Sequence, residues 1–272
     1  MSRKIMQHVF TLIILLSLGS AVFLGYKLVQ KERDYQKGQE SLERVYQVME
    51  EVRVQQDGSS PSGSLSSPEE EVKVRELRRE QYAVLNQENP DMQGWIYIKG
   101  TKIDYPVMYT PQEPEYYINH NFDKEKSSYG MIFIDGDCQL EERSQNLLLY
   151  GHHMRNGDMF AAIENYKRKD FWQKHQIIEF DTLTEKETYQ VIGAFKQSAA
   201  NLDESFKRML LARNEESYGM LMDYLKTNCF YDTGVQAAWS ERLITLATCE
   251  YTQQDGRFFV VAKLIPMSKE TQ

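Results

Sequence analysis

An apolar stretch near the N-terminus constrains this chain more than any other feature. Residues 5–26, IMQHVFTLIILLSLGSAVFLGY, contain no Asp, Glu, Lys or Arg. As an α-helix they would be about 33 Å long, enough to cross a bilayer. A cleaved secretory signal is the alternative, with Gly19-Ser20-Ala21 near the cut, but the apolar segment is longer than a usual signal core. We predict a retained membrane anchor over residues 1–30, and either interpretation exports the rest of the chain.

The next segment, residues 31–68, has two parts. Leu42, Val45, Met49 and Val52 recur at helical spacing in an otherwise charged sequence, which predicts an amphipathic stalk helix. Residues 57–68, DGSSPSGSLSSP, are rich in Gly, Ser and Pro and predict a flexible linker. We therefore place a domain over residues 69–272 and expect it to fold without the anchor, because the linker should make few contacts across the boundary.

The domain itself shows the pattern of a β-protein. After a predicted helix from residue 68 to about residue 86, eight short apolar runs are separated by turn residues: GWIYI, IDYPVMY, GMIFID, NLLLYGH, IIEFD, TYQVIGAF, RLITLATC and RFFVVAKLI. They predict an antiparallel barrel or sandwich, interrupted by helical segments over residues 158–174 and 215–226. With 41% hydrophobic residues, the chain can bury one sizeable core.

Charge and motif content exclude several classes of function. The net charge of −8 argues against a general nucleic-acid binder. The sequence has no P-loop, dinucleotide fingerprint or CxxC motif, so nucleotide chemistry and structural zinc both lack support. Asp135-Gly136-Asp137 lacks the further spaced acids of an EF-hand, and we interpret it as a turn.

The last two predicted strands bring a cysteine and an arginine together. If they form a hairpin, the connection over residues 250–256 sets Cys249 beside Arg257 at one rim. A thiolate is a strong nucleophile, and a fixed cation lowers a thiol pKa or binds the oxyanion formed during attack on a carbonyl. LLLYGHHM, residues 147–154, ends another apolar strand with His152 and His153, of which only one can face the thiol.

Structural roles remain open for the same residues at this point. Cys249 can equally be a buried core thiol, and Arg257 a solvated residue at a strand start. Cys138 and Cys229 either pair as a disulfide or stay separate, and we interpret both as structural. His120 and His175 are also interpreted as structural.

Taken together, the motifs resemble those of the sortases, cysteine transpeptidases of Gram-positive bacterial surfaces. The resemblance rests on LLLYGHHM, YDTGV, TLATCEY and GRFFVVAKL, with NPDMQGWIYIKGTKIDYPVMY and YYINHNF upstream, and covers about residues 81–265. It implies a mainly β fold with peripheral helices: a closed, sortase-type, eight-stranded β-barrel with an N-terminal helical segment and one transmembrane helix.

Within the family, the chain is most similar to class B. The helical segment before YDTGV matches the insertion typical of that class, and the long N-terminal helical segment also fits. Pilus-polymerising class C enzymes often carry an Asp-Pro-aromatic lid before the barrel, and no such tripeptide occurs in residues 72–95. The sorting motif, the acceptor amine and the client protein are not indicated by the sequence.

The resemblance implies a role for each site residue. Cys249 matches the nucleophile, His152 the general acid/base, and Arg257 the arginine that positions substrate and steadies the oxyanion, whereas His153 does not carry over. Thr248 and Glu250 are candidate substrate-binding residues, although Glu250 is equally interpreted as a solvated loop carboxylate. No metal or other cofactor is needed.

The implied reaction cleaves a C-terminal sorting signal of a surface protein after Thr and forms a thioacyl-enzyme. An amine of the peptidoglycan precursor or cross-bridge, or of a pilus, then releases the acyl group. The alternatives are a membrane-anchored thiol hydrolase that releases the acyl-enzyme to water, and a non-catalytic surface-binding module.

The resemblance also sets the predicted location: a single-pass protein of the cell membrane with its catalytic domain extracellular, because the implied substrates are exported. The count of basic residues is opposed to this orientation. More of them follow the span than precede it: Lys27, Lys31, Arg33 and Lys37 against Arg3 and Lys4.

Overall fold

The structure is a computed structural model that describes residues 3–57, 68–249 and 256–266. Two helices come first, α1 (Arg3–Asp57) and α2 (Pro68–Glu88). The eight strands are β1 (Met92–Tyr97), β2 (Asp104–Met108), β3 (Ile132–Ile134), β4 (Asn146–His152), β5 (Ile177–Thr182), β6 (Lys186–Gln197), β7 (Leu243–Cys249) and β8 (Arg257–Leu264). Between them lie α3 (Lys169–Lys174), α4 (Glu204–Leu211), α5 (Glu215–Asn228) and the 3-10 helices Tyr116–Ile118, Phe160–Lys167 and Ala199–Asn201.

The strands close into a barrel in the order β1-β2-β3-β4-β7-β8-β6-β5. This confirms the predicted eight-stranded barrel, and each predicted apolar run contributes one strand. The expectation of a wholly antiparallel sheet is wrong, because β2 pairs with β3 and β4 pairs with β7 in parallel. A parallel pair needs a long connection, and the chain between β4 and β7 contains three α-helices and two strands.

Helices cover the outside of part of the barrel, so strands there are apolar on both faces. Six consecutive residues of β7, 243–248, are buried, and so are the first four residues of β4. The side-chain Nδ2 of Asn146 in β4 donates a hydrogen bond to the backbone carbonyl oxygen of Leu210 in α4 at 2.5 Å. α5 matches the predicted helix over residues 215–226, whereas residues 158–174 form a 3-10 helix and the short α3. α4 was not predicted.

The membrane span and the stalk form one continuous helix. Residues 10–30 of α1 are exposed, and this part includes an 18-residue stretch of mean hydropathy 2.1 with none of its residues buried. By length and composition this part is a candidate membrane span. The linker residues 58–67 lie outside the described part of the chain.

The second part of α1 packs against the catalytic domain. Leu42 and Val45 are buried in the same hydrophobic core as the barrel residues, and Tyr46 donates a hydrogen bond to the carbonyl oxygen of Asp104 in β2 at 2.6 Å. Arg44 forms ion pairs with Glu88 and with Asp123. The stalk is therefore packed on the domain, which covers the apolar stripe of α1. The boundary at residue 69 stays a prediction.

Candidate active site

The parallel pairing of β4 and β7 brings the predicted histidine and cysteine to one rim of the barrel. The two strands are in register over seven residue pairs, from Asn146 with Leu243 to His152 with Cys249. His152 and Cys249 are the last residues of their strands. Partner residues of neighbouring strands belong to the same face of a sheet, so this register assigns the two to one face.

Arg257 is the first residue of β8, which runs antiparallel to β7 and begins at the same rim. The last described pair of β7 and β8 is Ala247 with Phe259, and the same register two residues further along sets Cys249 opposite Arg257. This agrees with the hairpin predicted from the sequence. The connection between the two strands includes Glu250, and residues 250–255 lie outside the described part of the chain.

The guanidinium of Arg257 lies over the ring of Tyr150, with its carbon 5.3 Å from the ring centroid. Such a cation–π contact contributes about 0.5–1 kcal/mol at a partly exposed site. Tyr150 precedes His152 by two residues, so both lie on the same face of β4. Tyr150 therefore orients the cation at the rim that carries His152.

His152 is held by a backbone group from a different part of the chain. Its Nε2 lies 2.6 Å from the carbonyl oxygen of Ile118, the last residue of a 3-10 helix. A carbonyl oxygen only accepts, so Nε2 is the protonated nitrogen in this arrangement. The bond fixes the orientation of the imidazole, which is half-buried.

Thr248 has a structural hydrogen bond. Its side chain is buried, with 2% exposed, and its hydroxyl oxygen accepts a hydrogen bond from the backbone N–H of Phe258 at 3.0 Å. This bond ties the end of β7 to the start of β8 on the face opposite to that of Cys249. The burial argues against the predicted substrate contact of Thr248, because the side chain has almost no surface to offer.

The other two cysteines are unsuited to nucleophilic attack. Cys138 and Cys229 are free thiols and do not form the disulfide that the sequence left open. Burial raises the pKa of Cys138 to about 12 and the pKa of Cys229 to about 11. Both thiols are therefore protonated near neutral pH, where thiolate chemistry needs the ionised form.

Three further histidines, all in the domain, have structural partners, as predicted for His120 and His175. His153 pairs with Glu164 at 2.9 Å, away from the partner of its neighbour His152. His120 bonds the carbonyl oxygen of Tyr116 and stacks on its ring. His175 bonds the carbonyl oxygen of Lys99 at 2.8 Å.

Asp135 and Asp137, the acids of the predicted turn, are paired with a lysine. The Nζ of Lys207 lies 3.1 Å from Asp135 and 2.7 Å from Asp137. The hydrogen bond from Lys207 lowers the pKa of Asp137, with a further contribution from Arg213 and some opposition from burial. Within the described ranges, no cluster of three or more His, Cys, Asp or Glu side chains is placed to hold a metal ion.

A cavity of about 190 Å³ lies beside the rim. Its walls include the apolar side chains of Ile118 and Phe133 and the ring of Tyr150. Its charged lining residues have both signs: Lys207, Arg257, Glu115 and Asp135. A larger cavity of about 430 Å³ is lined by α5 and residues 229–237 and includes none of the three site residues. The smaller cavity is the better candidate for a substrate groove, because it adjoins Arg257.

Tyr150 and Ile118 are site residues that the sequence analysis missed. Tyr150 had a detectable signal, since it precedes His152 by two positions on a predicted strand and therefore shares its face. The carbonyl group of Ile118 had none, because backbone atoms carry no residue-specific signal and residues 118 and 152 are distant in sequence.

The chain is similar in sequence and in structure to proteins of one known family. The Sortase domain family matches residues 96–265, more than half of the chain. The chain belongs to the sortase family. Its relatives are sortases of class B, and the chain is accordingly a cysteine transpeptidase of that class.

The similarity extends over nearly the whole chain. Sortase B of Staphylococcus aureus is 29% identical over 270 residues, covering 97% of this chain and 99% of the relative. The structure of a Staphylococcus aureus sortase B–substrate complex has a TM-score of 0.64 at 29% identity, covering 88% of this chain and 98% of that one. A cysteine-to-serine mutant of Clostridium perfringens sortase B has a TM-score of 0.65 at 32% identity, covering 74% and 92%.

Proposed function

We propose that Cys249, His152 and Arg257 are the catalytic residues of this class B sortase. The observation that supports the proposal is the register of β4 and β7, in which His152 and Cys249 are partners at the rim where β8 begins with Arg257. A thiol nucleophile, an acid/base and a fixed cation are the three groups that acyl transfer requires.

In the first half-reaction, the Cys249 thiolate attacks the carbonyl carbon of the Thr in a C-terminal sorting signal. The guanidinium of Arg257 stabilises the negative oxygen of the tetrahedral intermediate. His152 donates a proton to the leaving amine, the C–N bond breaks, and the acyl group stays on Cys249 as a thioester. The C-terminal fragment of the surface protein leaves.

In the second half-reaction, an amine of the peptidoglycan precursor or cross-bridge attacks the thioester. His152 accepts the proton of this amine, the C–S bond breaks, and the Cys249 thiolate is restored. The cavity beside Arg257 holds residues of the sorting signal, with Ile118 and Phe133 offering apolar contacts and Lys207 and Arg257 offering hydrogen-bond donors. Glu250 is a further candidate contact with substrate.

The same enzyme is anchored in the cell membrane by the first part of α1, with the catalytic domain outside. Two observations support this location: the apolar residues of this part are exposed, and the sortase family is associated with the cell surface. A substrate that is itself exported is available only on that side of the membrane.

A panel of sorting-signal peptides tests the proposal on the full-length protein in detergent. With an added amine we expect an amide product, and mass spectrometry should trap an acyl adduct on Cys249. Cys249→Ala should abolish cleavage, and His152→Ala should lower kcat by at least about 100-fold because the leaving amine lacks its proton donor. His153→Ala is the matched control and should retain most activity.

Two outcomes would contradict the proposal. Cleavage by Cys249→Ala, or an adduct on Cys138 or Cys229, would show that the nucleophile is wrong. Hydrolysis that no added amine diverts to an amide product would instead favour a thiol hydrolase with the same three residues.

A further inference from the structure

The buried carboxylate of Asp158 is the centre of a partly exposed hydrogen-bond cluster in the loop that follows His152. Its Oδ2 accepts hydrogen bonds from the hydroxyl of Tyr129 at 2.6 Å and from that of Tyr35 at 3.3 Å. Its Oδ1 accepts one from the Nζ of Lys102 at 2.8 Å. Burial opposes the charged form, but the bonds from Lys102, Tyr129 and Asn156 outweigh it and lower the pKa of Asp158. Asp158 is therefore a charged acceptor at neutral pH.

This cluster joins the two chain segments that flank His152. Asp158 belongs to the loop that follows β4, six residues after His152, and in this loop His153 pairs with Met159. Tyr129 immediately precedes Gly130, which lies against the imidazole of His152. The bond between Tyr129 and Asp158 therefore links the loop that continues from His152 to the segment that contacts its ring.

Gly130 leaves little room for movement of the imidazole. It has a φ of +60°, and a Cβ built on it would lie 2.9 Å from the Cδ2 of His152 and 2.6 Å from the carbonyl oxygen of Ile118. That carbonyl is the group that accepts the Nε2 proton of His152. A shift of the segment over residues 127–130 would thus move both the ring and its acceptor.

The helix α1 holds this segment in place. Ser127 donates a hydrogen bond to the carbonyl oxygen of Asp34 at 3.1 Å, and the backbone N–H of Ser128 donates one to the Asp34 carboxylate at 2.7 Å. The ring of Tyr35 meets that of Tyr129 edge to face at 5.2 Å. Asp34 and Tyr35 lie eight and nine residues beyond the apolar stretch that ends at Tyr26.

We infer that Tyr35 and Asp158 are positioning residues for His152, and that through them the membrane-anchoring helix holds the catalytic histidine in register with Cys249. The role of His152 rests on the proposed function. Tyr35 and Asp158 touch neither substrate nor the reacting atoms. They act by fixing the loop that continues from His152 and the segment over residues 127–130, which contacts the imidazole.

Tyr35→Phe in the full-length protein is the central test, with Tyr46→Phe as the matched control. Each substitution removes one hydroxyl from the same helix, but Tyr46 donates to the backbone carbonyl of Asp104 and not to Asp158. Three quantities are measured for each variant: kcat and KM with a sorting-signal peptide, the pH dependence of the rate at which iodoacetamide alkylates Cys249, and the melting temperature. Asp158→Asn provides a second, stronger variant.

We expect Tyr35→Phe to lower kcat by about 3- to 10-fold with KM within about twofold, since a misplaced acid/base affects the chemical step. The alkylation profile should shift along the pH axis, because a displaced His152 no longer has the same influence on the ionisation of Cys249. Tyr46→Phe should lower the melting temperature by a similar amount and leave both other quantities unchanged.

A purely structural role would give a different result. If Tyr35→Phe and Tyr46→Phe lower the melting temperature alike while both keep the wild-type kcat and alkylation profile, the positioning role is overturned. The alkylation profile needs no sorting peptide, so a shift confined to Tyr35→Phe would uphold the positioning role even if the wild type transferred no peptide.

Discussion

His152 and His153 are adjacent in the sequence and have different partners in the structure. His152 bonds the Ile118 carbonyl oxygen at the rim, whereas His153 pairs with Glu164. Thr248 and Cys249 are also adjacent, and Thr248 is buried and bonded to Phe258. Neighbouring residues of a strand face opposite sides, and this alternation selects one member of each pair for the site.

Arg257→Lys tests what the arginine contributes. Lysine keeps the positive charge but loses the planar group that donates several hydrogen bonds and stacks on an aromatic ring. We expect kcat/KM to fall by about 10²-fold or more, as for loss of an oxyanion donor.

Tyr150→Leu is the companion variant, because it removes the ring under the guanidinium and leaves Arg257 itself unchanged. It should cost about 0.5–1 kcal/mol in transition-state stabilisation, or roughly 2- to 5-fold in kcat/KM. Steady-state kinetics with one sorting peptide measures both variants. An Arg257→Lys enzyme that keeps wild-type kcat/KM would show that charge alone suffices.

Among the elements, α1 differs most from its predicted form. The sequence predicted a span and a separate stalk, whereas the structure has one helix of 55 residues. Its exposed first part and its packed second part differ in environment, although both are helical. The amphipathic stripe was detectable, since Leu42 and Val45 are its buried members. The surface that buries them was not, because it comes from residues much later in the chain.

The same substitution, Gly→Ala, should change the free energy of unfolding in opposite directions at two glycines inside helices. In general, Gly→Ala in a helix interior stabilises by about 0.5–1 kcal/mol. Gly219 in α5 has no atom within 4 Å of an added Cβ, so Gly219→Ala should raise the free energy of unfolding by this amount. At Gly38 in α1, an added Cβ would clash with Tyr129 and lie 2.7 Å from the Ser127 hydroxyl, so Gly38→Ala should lower it.

Urea unfolding of the full-length protein in detergent measures both effects. Since the backbone substitution is the same, the two differ only in what surrounds the new methyl group. Equal stabilisation by Gly38→Ala and Gly219→Ala would mean that α1 does not pack on the domain in solution.

For the whole molecule, the packing of α1 connects the anchor to the catalytic domain. Tyr26 ends the apolar stretch, and Asp34 already contacts the domain through Ser127 and Ser128. Eight residues of helix span about 12 Å. If residues 5–26 cross the bilayer, the domain is held close to the membrane surface by a helix.

Protease added to intact cells tests the proposed orientation. We expect the catalytic domain to be digested from outside, because the substrates of the proposed reaction are exported. The basic residues Lys27, Lys31 and Arg33 after the span argue for the opposite orientation. Immunoblotting against the C-terminal part measures the result. Full protection in intact cells, with digestion after lysis, would show that the domain lies in the cytoplasm.

The sequence by itself determined the features that depend on local pattern. Alternating and continuous apolar runs located all eight strands, a charge-free stretch located the candidate span, and the motifs around His152, Cys249 and Arg257 indicated the site. Each of these features depends on residue types within a few positions of one another, so a single sequence is enough to show them.

Only the tertiary structure decided which strands are neighbours and what surrounds the site. The parallel pairing of β4 with β7, the bond from His152 to Ile118 and the packing of α1 on Tyr129 all join residues far apart in the chain. Such contacts form because the closed barrel must bury the apolar faces of all its strands together, and no local pattern specifies which distant segment covers a given face.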